Sequence, residues 1–309
     1  MSSPYPLATR ILDELSRQMP FLHRAAVQSD VCPMAGRMEE LEFIGVRLEA
    51  MLGQPADWIA EVVKAYVVLS IEFLRLQKEL ERTGSYLLSS EQEARERVYH
   101  NAQVFGGYYL PGQLLSQALW INHFRIDEAY RNRFLPRLKA GSEVVEVGVG
   151  PGYHLRHLLE KVPEVRYLGL DISDYAIDFS RKFALGEGPE NSGVRLVNRN
   201  ISDGSGLEPA SVDAVILGEL LEHVEDPKAV LEDLWRAARP QAPAFISTVV
   251  FMANIDHIHL FEKADEIRRL VTDSGWRIAE EWPLPLHPDD TPEMARRPIN
   301  YAAILEKAR

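Results

Sequence analysis

The sequence has a single cysteine, Cys32, and it lacks long apolar runs. One cysteine excludes an internal disulfide framework, which suits a reducing compartment such as the cytoplasm. No window approaches the roughly 18 consecutive apolar residues that a membrane-spanning helix needs. Charges interrupt the apolar pattern of the first residues, so a signal peptide is not expected. We therefore expect a cytoplasmic protein with no membrane partner.

Basic residues are also scarce, with 34 Lys and Arg against 46 Asp and Glu and a formal net charge of -12. An acidic surface does not attract a phosphate backbone, so nucleic acid is disfavoured as the main partner. Repeats and low-complexity tracts are absent. What is present is a chain of 309 residues, 46% of them hydrophobic, which is enough for one large or two modest globular domains.

The first 140 residues have the pattern of helices. The segment 57–84 starts at Asp57, a suitable N-cap, and stops at Gly84, a suitable C-cap. Its apolar stripe is too wide for burial on one side only. The residues that widen it are Val63, Val67, Val68, Ile71 and Leu74. The helix is therefore expected to pack against other helices of the chain or against a second subunit in a homodimer. Glycines and a proline near 105–112 then predict an aromatic kink.

From Ser142 onward, strand and helix patterns alternate, which predicts a parallel sheet covered by helices on both faces. The predicted strands cover residues 143–148, 165–171, 194–200, 212–218, 243–250, 276–282 and 300–307. No helix separates the last two strands, so they are expected to pair antiparallel. The predicted fold is α/β, a doubly wound seven-stranded Rossmann-like sheet with a reversed last strand, preceded by an all-helical unit. We assign 1–140 to a helical lid or oligomerisation unit and 141–309 to a ligand-binding domain.

The first predicted strand leads into a turn with three glycines, Gly148, Gly150 and Gly152, in "EVVEVGVGPGYH". Ligands of doubly wound sheets bind at the carboxyl ends of the strands, and glycines there let the backbone approach them at positive φ. A dinucleotide fingerprint would place the third glycine at the sixth position, which Tyr153 occupies here. The carboxylate of Glu146, just before the glycines, also suits a cation better than a pyrophosphate.

The pattern E-V-G-x-G-x-G resembles the first motif of class I S-adenosylmethionine-dependent methyltransferases, in the small-molecule type with a helical extension. The resemblance covers 142–309 and leaves the helical front outside. It implies a methyltransferase fold and S-adenosylmethionine as the cofactor. It also implies that the glycine backbone packs against the methionine tail and ribose, while Glu146 helps to hold the ammonium group.

Other residues match later motifs of that family. Asp171 ends the second strand 19 residues after Gly152, close to the spacing of an acid on the ribose hydroxyls; the alternative is a cap for the next helix. The resemblance places Ile172 against the adenine. It places Asn200, where the family usually has an acid, and the backbone amide of Ile201 at the adenine edge. Turn formation is the alternative for Asn200.

The catalytic candidates follow the fourth strand in "GELLEH": Glu219, Glu222 and His223. Glu219 is expected to orient the acceptor or to contact the cofactor tail. His223 is a candidate general base, with a structural or cofactor-packing role as the alternative, and Glu222 has a solvated helix start as its alternative. Two acids suit a cationic acceptor, so an amine or guanidine is favoured. A hydroxyl or carboxyl acceptor is the alternative.

Five residues are expected to line the acceptor pocket: Tyr108, Tyr109, His123, His257 and His259. The tyrosines lie in the predicted kink, the candidate lid, where an aromatic face attracts a sulfonium. His257 and His259 alternate, so an extended chain would point both to one side. With Asp256 they suggest a metal, but the family resemblance argues against one, and none is expected. Plain packing is the alternative for these residues.

The predicted activity is methyl transfer to a small polar metabolite or natural-product intermediate. A protein that binds S-adenosylmethionine without turnover is the rival class, and a methyltransferase acting on proteins remains a further alternative. An enclosed chamber would favour small molecules, whereas an open acidic groove would favour peptides.

Overall fold

The front of the chain is helical in a computed structural model that describes residues 3–28, 34–53, 57–186 and 193–307. Cys32 lies outside the described residues. The α-helices of this part are α1 Pro6–Gln18, α2 Pro20–Val27, α3 Met34–Leu52, α4 Trp58–Thr83, α5 Glu91–Ala94, α6 Leu110–Leu119 and α7 Ile121–Ala129. Wider π-helical turns occupy Arg95–Tyr99, Ala102–Tyr109 and Tyr130–Phe134. Among the described residues, no helix is long and apolar enough to cross a membrane.

Helix α4 ends as the sequence predicts, because Gly84 adopts a left-handed conformation with φ of 74° and its N–H bonds the carbonyl of Leu80. The side chain of Asp57 makes no capping hydrogen bond at the other end. The wide apolar stripe is buried only in part. Ile71 is 44% exposed and Leu74 is 42% exposed, so one edge of the stripe faces solvent.

The kink predicted near 105–112 falls on an irregular stretch of helix, because the chain stays helical there but changes from π-helical to α-helical turns. The π-helix Ala102–Tyr109 runs directly into α6, and the N–H of Leu110 bonds the carbonyl of Phe105. The extra residue per turn lets the helix pass Pro111, which has no N–H to donate and lies in the first turn of α6. The glycines therefore widen the helix instead of ending it.

The seven predicted strands are confirmed and form one sheet in the order β3-β2-β1-β4-β5-β7-β6. Their bounds are β1 Glu143–Val147, β2 Arg166–Asp171, β3 Val194–Asn198, β4 Ala214–Gly218, β5 Pro243–Val250, β6 Trp276–Pro285 and β7 Ile299–Lys307. Strand β7 pairs antiparallel with both β5 and β6, and the other pairs are parallel. The reversed last strand is therefore confirmed.

The α-helices that accompany the sheet are α8 Tyr153–Lys161, α9 Asp174–Ser180, α10 Pro227–Ala237 and α11 Ala264–Asp273. Strand β1 is central, with β2 on one side and β4 on the other. The chain runs outward from β1 to β3 and then returns to β4, so the direction of winding changes between β1 and β4. A crevice at the carboxyl ends of these strands is the usual ligand site of such a sheet.

The helical front packs tightly on the sheet domain. An apolar cluster joins residues of α1, α3, α4 and α6 to Tyr153 and Phe183 of the sheet domain. Arg37 is fully buried and donates to the carbonyls of Ala26, Ala118 and Leu119. These carbonyls lie at the ends of α2 and α6, so one guanidinium satisfies acceptors that the helices leave unpaired.

Candidate functional site

A cavity, partly open to solvent, lies where the switch point predicts a ligand site. Loops after β1, β2 and β4 form its floor, and side chains from the π-helix Ala102–Tyr109, α6 and α7 cover it. It brings together most of the predicted site residues: Gly148, Gly150, Asp171, Ile172, Asn200, Ile201, Glu219, His223, Tyr109 and His123. The predicted residues outside its lining are Glu146, Gly152, Glu222, Tyr108, His257 and His259.

The glycines of the turn have two roles: two of them line the cavity, and the third lets α8 pack closely. Gly148 and Gly150 adopt φ of 76° and 49° and line the cavity, where side chains would block a ligand. Gly152 precedes α8 with φ of 80°, and a Cβ there would come within 2.6 Å of the Ser180 hydroxyl oxygen. Gly152 is therefore needed for packing, because the start of α8 lies close to Ser180. This requirement is independent of any contact with a cofactor.

The carboxylate of Asp171 holds the glycine turn and also reaches the cavity. One oxygen accepts from the N–H of Ser173 at 2.9 Å and the other from the N–H of Gly150 at 3.1 Å. Burial raises the pKa of Asp171 to about 6, against the opposing effect of these backbone donors. The group thus titrates close to the physiological range at the cavity surface.

Glu146 does not line the cavity, because neighbouring side chains cover it. Its two oxygens face the Nδ1 of His154 at 3.0 Å and accept from the Tyr167 hydroxyl at 2.5 Å. His154 lines the cavity in its place. A Cβ at Gly218 would collide with the His154 ring, so this glycine makes room for the histidine. Sequence reasoning missed His154, although it directly follows the glycine turn in "GYH".

Asn200 combines turn formation with a place in the cavity wall. Its side-chain oxygen accepts from the N–H of Ser202 at 3.0 Å, as the turn alternative predicts. Its amide donates to Glu91 at 3.2 Å. Glu91 belongs to α5, also lines the cavity, and accepts from the N–H of Glu225. Glu91 thus joins the helical front to the loops after β3 and β4 by hydrogen bonds. No sequence motif predicted this contact.

The wall after β4 carries two carboxyl groups in a strained loop. Glu219 has φ of 49°, which a residue other than glycine rarely adopts. Burial and the charge of Glu222 raise the pKa of Glu219 well above its usual value. Glu222 is fully buried and accepts from the Thr248 hydroxyl at 2.6 Å. Burial also raises its pKa, against the opposing effects of His223 and Thr248.

His223 is part of a hydrogen-bonded network at the cavity wall. Its Nδ1 lies 3.1 Å from the Asp256 carbonyl and 3.2 Å from the Tyr99 hydroxyl. The Asp256 carboxylate accepts from the Tyr109 hydroxyl at 3.0 Å. Burial opposes protonation of His223, but the negative charges of Asp256 and Glu222 outweigh it and raise its pKa.

The predicted lid residues and distal histidines have different surroundings. Tyr109 stacks on Phe105 at 5.2 Å, and both line the cavity, whereas Tyr108 does not. Turns around Asp256 interrupt the extended path expected for 255–259. His257 packs edge-on against His223, and His259 packs against Phe261. The prediction that both histidines face one side together is therefore wrong.

His123 lies in the part of the wall contributed by the helical front. Its Nδ1 is 3.1 Å from the Ser116 hydroxyl, and Trp120 packs edge-on at 4.8 Å. Burial lowers the pKa of His123 to about 4, so the ring is neutral near pH 7. Gln113 and Gln117 of α6 line the cavity as well. Sequence reasoning missed both glutamines, because a polar residue on a helix has no distinctive spacing.

Residues 145–244 match the family model of a methyltransferase domain. The match confirms, for this part of the chain, the predicted resemblance to class I S-adenosylmethionine-dependent methyltransferases. The family uses S-adenosylmethionine, so the expected cofactor is confirmed at the level of the family.

Curated relatives include two bacterial proteins called ubiquinone biosynthesis O-methyltransferase. The one from Idiomarina loihiensis is 31% identical over 109 residues, which are 35% of this chain and 43% of the relative. The one from Hahella chejuensis is 31% identical over 131 residues, 42% of this chain and 50% of the relative. A mitochondrial protein of the same name from Schizosaccharomyces pombe is 26% identical and covers 51% and 63%. The chain thus spans about half the length of these relatives.

Two solved structures of S-adenosylmethionine-dependent methyltransferases are also similar. The protein from Methanosarcina mazei is 17% identical with a TM-score of 0.46 and covers 57% of this chain and 97% of its own. The protein from Mesorhizobium loti is 16% identical with a TM-score of 0.44 and covers 59% and 99%. At this level of similarity they say nothing about the acceptor.

Proposed function

We propose that the chain transfers a methyl group from S-adenosylmethionine to a hydroxyl oxygen of a small polar molecule. The observation that carries this proposal is one cavity lined both by the glycine turn and by the wall residues Glu219 and His223. A cofactor at the turn would therefore share one cavity, partly open to solvent, with an acceptor at the wall. Methyl transfer needs mainly position and exclusion of water, which such a cavity supplies.

We assign the ribose hydroxyls to Asp171 and the adenine to Ile172, Asn200 and the Ile201 amide, with Gly148 and Gly150 along the cofactor. Each of these residues lines the cavity. We keep a role for Glu146 through His154, which lies between it and the cavity. In this role Glu146 orients His154 and does not contact the cofactor directly.

Asp127 of α7 is a second candidate for the ammonium group of the methionine tail. It lines the cavity, and its Oδ1 is buried without a hydrogen-bond partner. Such an oxygen would gain a partner from an ammonium group. Asp127 is one reason to propose that residues 1–140 act as a lid that completes the cofactor site, while 141–309 hold the cofactor.

A hydroxyl acceptor is favoured over the amine or guanidine expected from the two acids. Glu222 does not line the cavity, and the raised pKa of Glu219 favours its neutral form. The two glutamates therefore offer a cationic acceptor less negative charge than the sequence indicated, and the Asp256 carboxylate is already bonded to the Tyr109 hydroxyl. In the proposed step the hydroxyl loses its proton, with His223 as the candidate base, and its oxygen bonds the methyl carbon. The carbon–sulfur bond breaks with its electrons left on sulfur, which gives a methyl ether and S-adenosylhomocysteine.

Incubation with S-adenosylmethionine labelled in the methyl group tests this proposal. Phenolic and alcoholic metabolites and their amine counterparts serve as parallel acceptors. Label in a methyl ether supports the proposal, and label only in amines moves it to N-methylation. Tight binding of S-adenosylhomocysteine without any transfer favours the rival binding protein.

The cytoplasmic location, the homodimer and a role in secondary metabolism stay predictions. The exposed Ile71 and Leu74 on α4 are the surface on which a homodimer through the helices depends. Light scattering of the wild type and of a doubly substituted I71E/L74E variant tests this, since a dimer on that surface should become monomeric.

A further inference from the structure

Four side chains that can bind a metal converge behind and within the acceptor wall. We call Glu219, Glu222, His223 and His257 the wall cluster. One carboxylate oxygen of Glu222 and one ring nitrogen from each histidine lie within 4.8 Å of one another. Glu219 is not in that group of three; it lies three residues before Glu222 and lines the cavity with His223. Ligand atoms around a zinc-sized ion are roughly 3.4 Å apart at bond lengths of about 2.1 Å, so a small inward shift would suffice.

Both histidines are oriented as metal ligands usually are. The Nδ1 of His257 lies 2.9 Å from the Met252 carbonyl, and the Nδ1 of His223 lies 3.1 Å from the Asp256 carbonyl. A carbonyl oxygen only accepts, so each Nδ1 carries a proton. In the neutral form of each ring, Nε2 then keeps a lone pair for a metal. Histidine ligands in metal sites donate their other ring N–H in this way.

One oxygen in each carboxyl group of the wall cluster lacks the partner that its burial would require. The Oε1 atoms of Glu219 and Glu222 are both buried without a hydrogen-bond partner. Glu222 as a whole is fully buried, and its Oε1 lies 3.9 Å from the Nε2 of His223. Among the described residues, no arginine or lysine forms an ion pair with either glutamate. Burying such oxygens without a partner is unfavourable, and a bound cation would supply one.

We propose that the wall cluster binds one divalent transition-metal ion. Two imidazole nitrogens and one carboxylate, with the Glu219 carboxyl nearby, favour zinc, manganese, iron or cobalt over magnesium or calcium, which prefer oxygen ligands. Binding displaces protons from the carboxyl groups. The proposal departs from the expectation of no metal, which rested on family resemblance and treated His257 as paired with His259.

The position of the cluster gives the ion a task that rests on the proposed function. Glu219 and His223 line the cavity, whereas Glu222 and His257 lie behind them. An ion held there has protein on one side and the acceptor space on the other. A bound cation lowers the pKa of a hydroxyl that contacts it, which would favour methylation of oxygen. With the ion bound, His223 would be a ligand and not the base, so the hydroxyl proton would pass to solvent.

Metal binding is tested on the full chain after removal of metals by a chelator. Calorimetric titrations with ZnCl2, MnCl2 and MgCl2 measure stoichiometry and affinity, and the visible spectrum with CoCl2 reports nitrogen ligation. We expect one zinc, manganese or cobalt ion per chain and weaker binding of magnesium. The variants are Glu222→Gln, which keeps an acceptor for Thr248, and His257→Ala. Each should weaken binding at least about tenfold, whereas His259→Ala, whose ring packs on Phe261, should not.

The absence of stoichiometric binding to the wild type would overturn the proposal. Binding that Glu222→Gln leaves unchanged would overturn it too, even if His257→Ala does not fold. S-adenosylhomocysteine affinity of the metal-free chain separates the two proposals. If the metal-free chain still methylates hydroxyls at the full rate, the task given to the ion fails and the proposed function stands. If the cofactor does not bind, the proposed function fails, while metal stoichiometry still decides the site.

Discussion

Two buried groups of carboxylate and histidine side chains have similar composition, but only one of them includes a permanent positive charge. One is the wall cluster. The other, which we call the interface cluster, joins α3, α7 and α8 and consists of Glu40, Asp127, Arg131, Tyr153 and His157. Three residues of each group offer ligand atoms within 4.8 Å of one another: two acids and a histidine in the interface cluster, and one acid and two histidines in the wall cluster. Only the interface cluster contains an arginine.

The interface cluster contains its own cation, Arg131, although burial and the charge of Glu40 still raise the pKa of Asp127. Glu40 accepts from the Tyr153 hydroxyl at 2.7 Å and lies 3.0 Å from the Nε2 of His157. Arg131 lies 3.3 Å from Glu40 and 2.5 Å from Asp127. Although burial opposes it, these partners lower the pKa of Glu40. In the interface cluster, where Arg131 supplies a cation, these residue types stabilise the packing of helices. In the wall cluster, which has no arginine, the same residue types form a candidate ion site.

Removal of that built-in cation should have the largest effect. Arg131→Met would leave Glu40 and Asp127 buried without their counter-ion, and the free energy of unfolding should fall by about 3 kcal/mol. Urea denaturation measures the change. Arg133→Met, at a more exposed ion pair with Glu280, is the matched control and should cost less than about 1 kcal/mol. Equal losses would mean that the interface cluster is not special.

A carboxylate with only backbone partners, Asp171, gives the next effect. Asp171→Ala should weaken binding of S-adenosylhomocysteine by about 1–3 kcal/mol, because a charge-assisted pair of hydrogen bonds to the ribose is lost. Calorimetry measures the affinity. Asp174→Ala, one turn further on, is a control that should leave it unchanged. An Asp171→Ala variant with wild-type affinity would remove the ribose assignment.

The pH dependence of binding provides a further test of the ribose assignment of Asp171. The pKa of Asp171 is about 6 in the free chain, and the ribose hydroxyls need the charged form as acceptor. Affinity for S-adenosylhomocysteine should therefore be constant above that pH and fall below it, by up to about tenfold per unit. Titrations between pH 5 and pH 8 measure it, with Asp171→Asn as the comparison. A profile that stays the same in the variant assigns the titration to another group.

The smallest expected effect is on the metal-free wall cluster. Glu222→Gln keeps the size of the side chain and an acceptor for Thr248, and it removes an acid that burial disfavours as an anion. The free energy of unfolding should stay within about 0.5 kcal/mol of the wild type or rise. A loss above about 2 kcal/mol in metal-free buffer would show that Glu222 has a structural partner, and the contrast with the interface cluster would disappear.

The sequence by itself determined the sheet, because strand and helix periods are local properties that survive in almost any context. It placed the glycine turn after β1 and Asp171 at the end of β2, since both follow from position along a strand. It also identified the segment "GELLEH" as the wall of the site. These features depend on neighbours in the chain, so their spacing is visible without coordinates.

Only the tertiary structure decided which side chains share a space. His154 stands between Glu146 and the cavity because Gly218 leaves room for its ring. Glu91 and Asp127 reach the cavity from the helical front, and His257 turns from His259 toward His223. The tertiary structure also decided which buried acids have a positively charged partner, since such partners come from distant segments of the chain. Long-range packing sets burial and pairing, and neither leaves a period in the sequence.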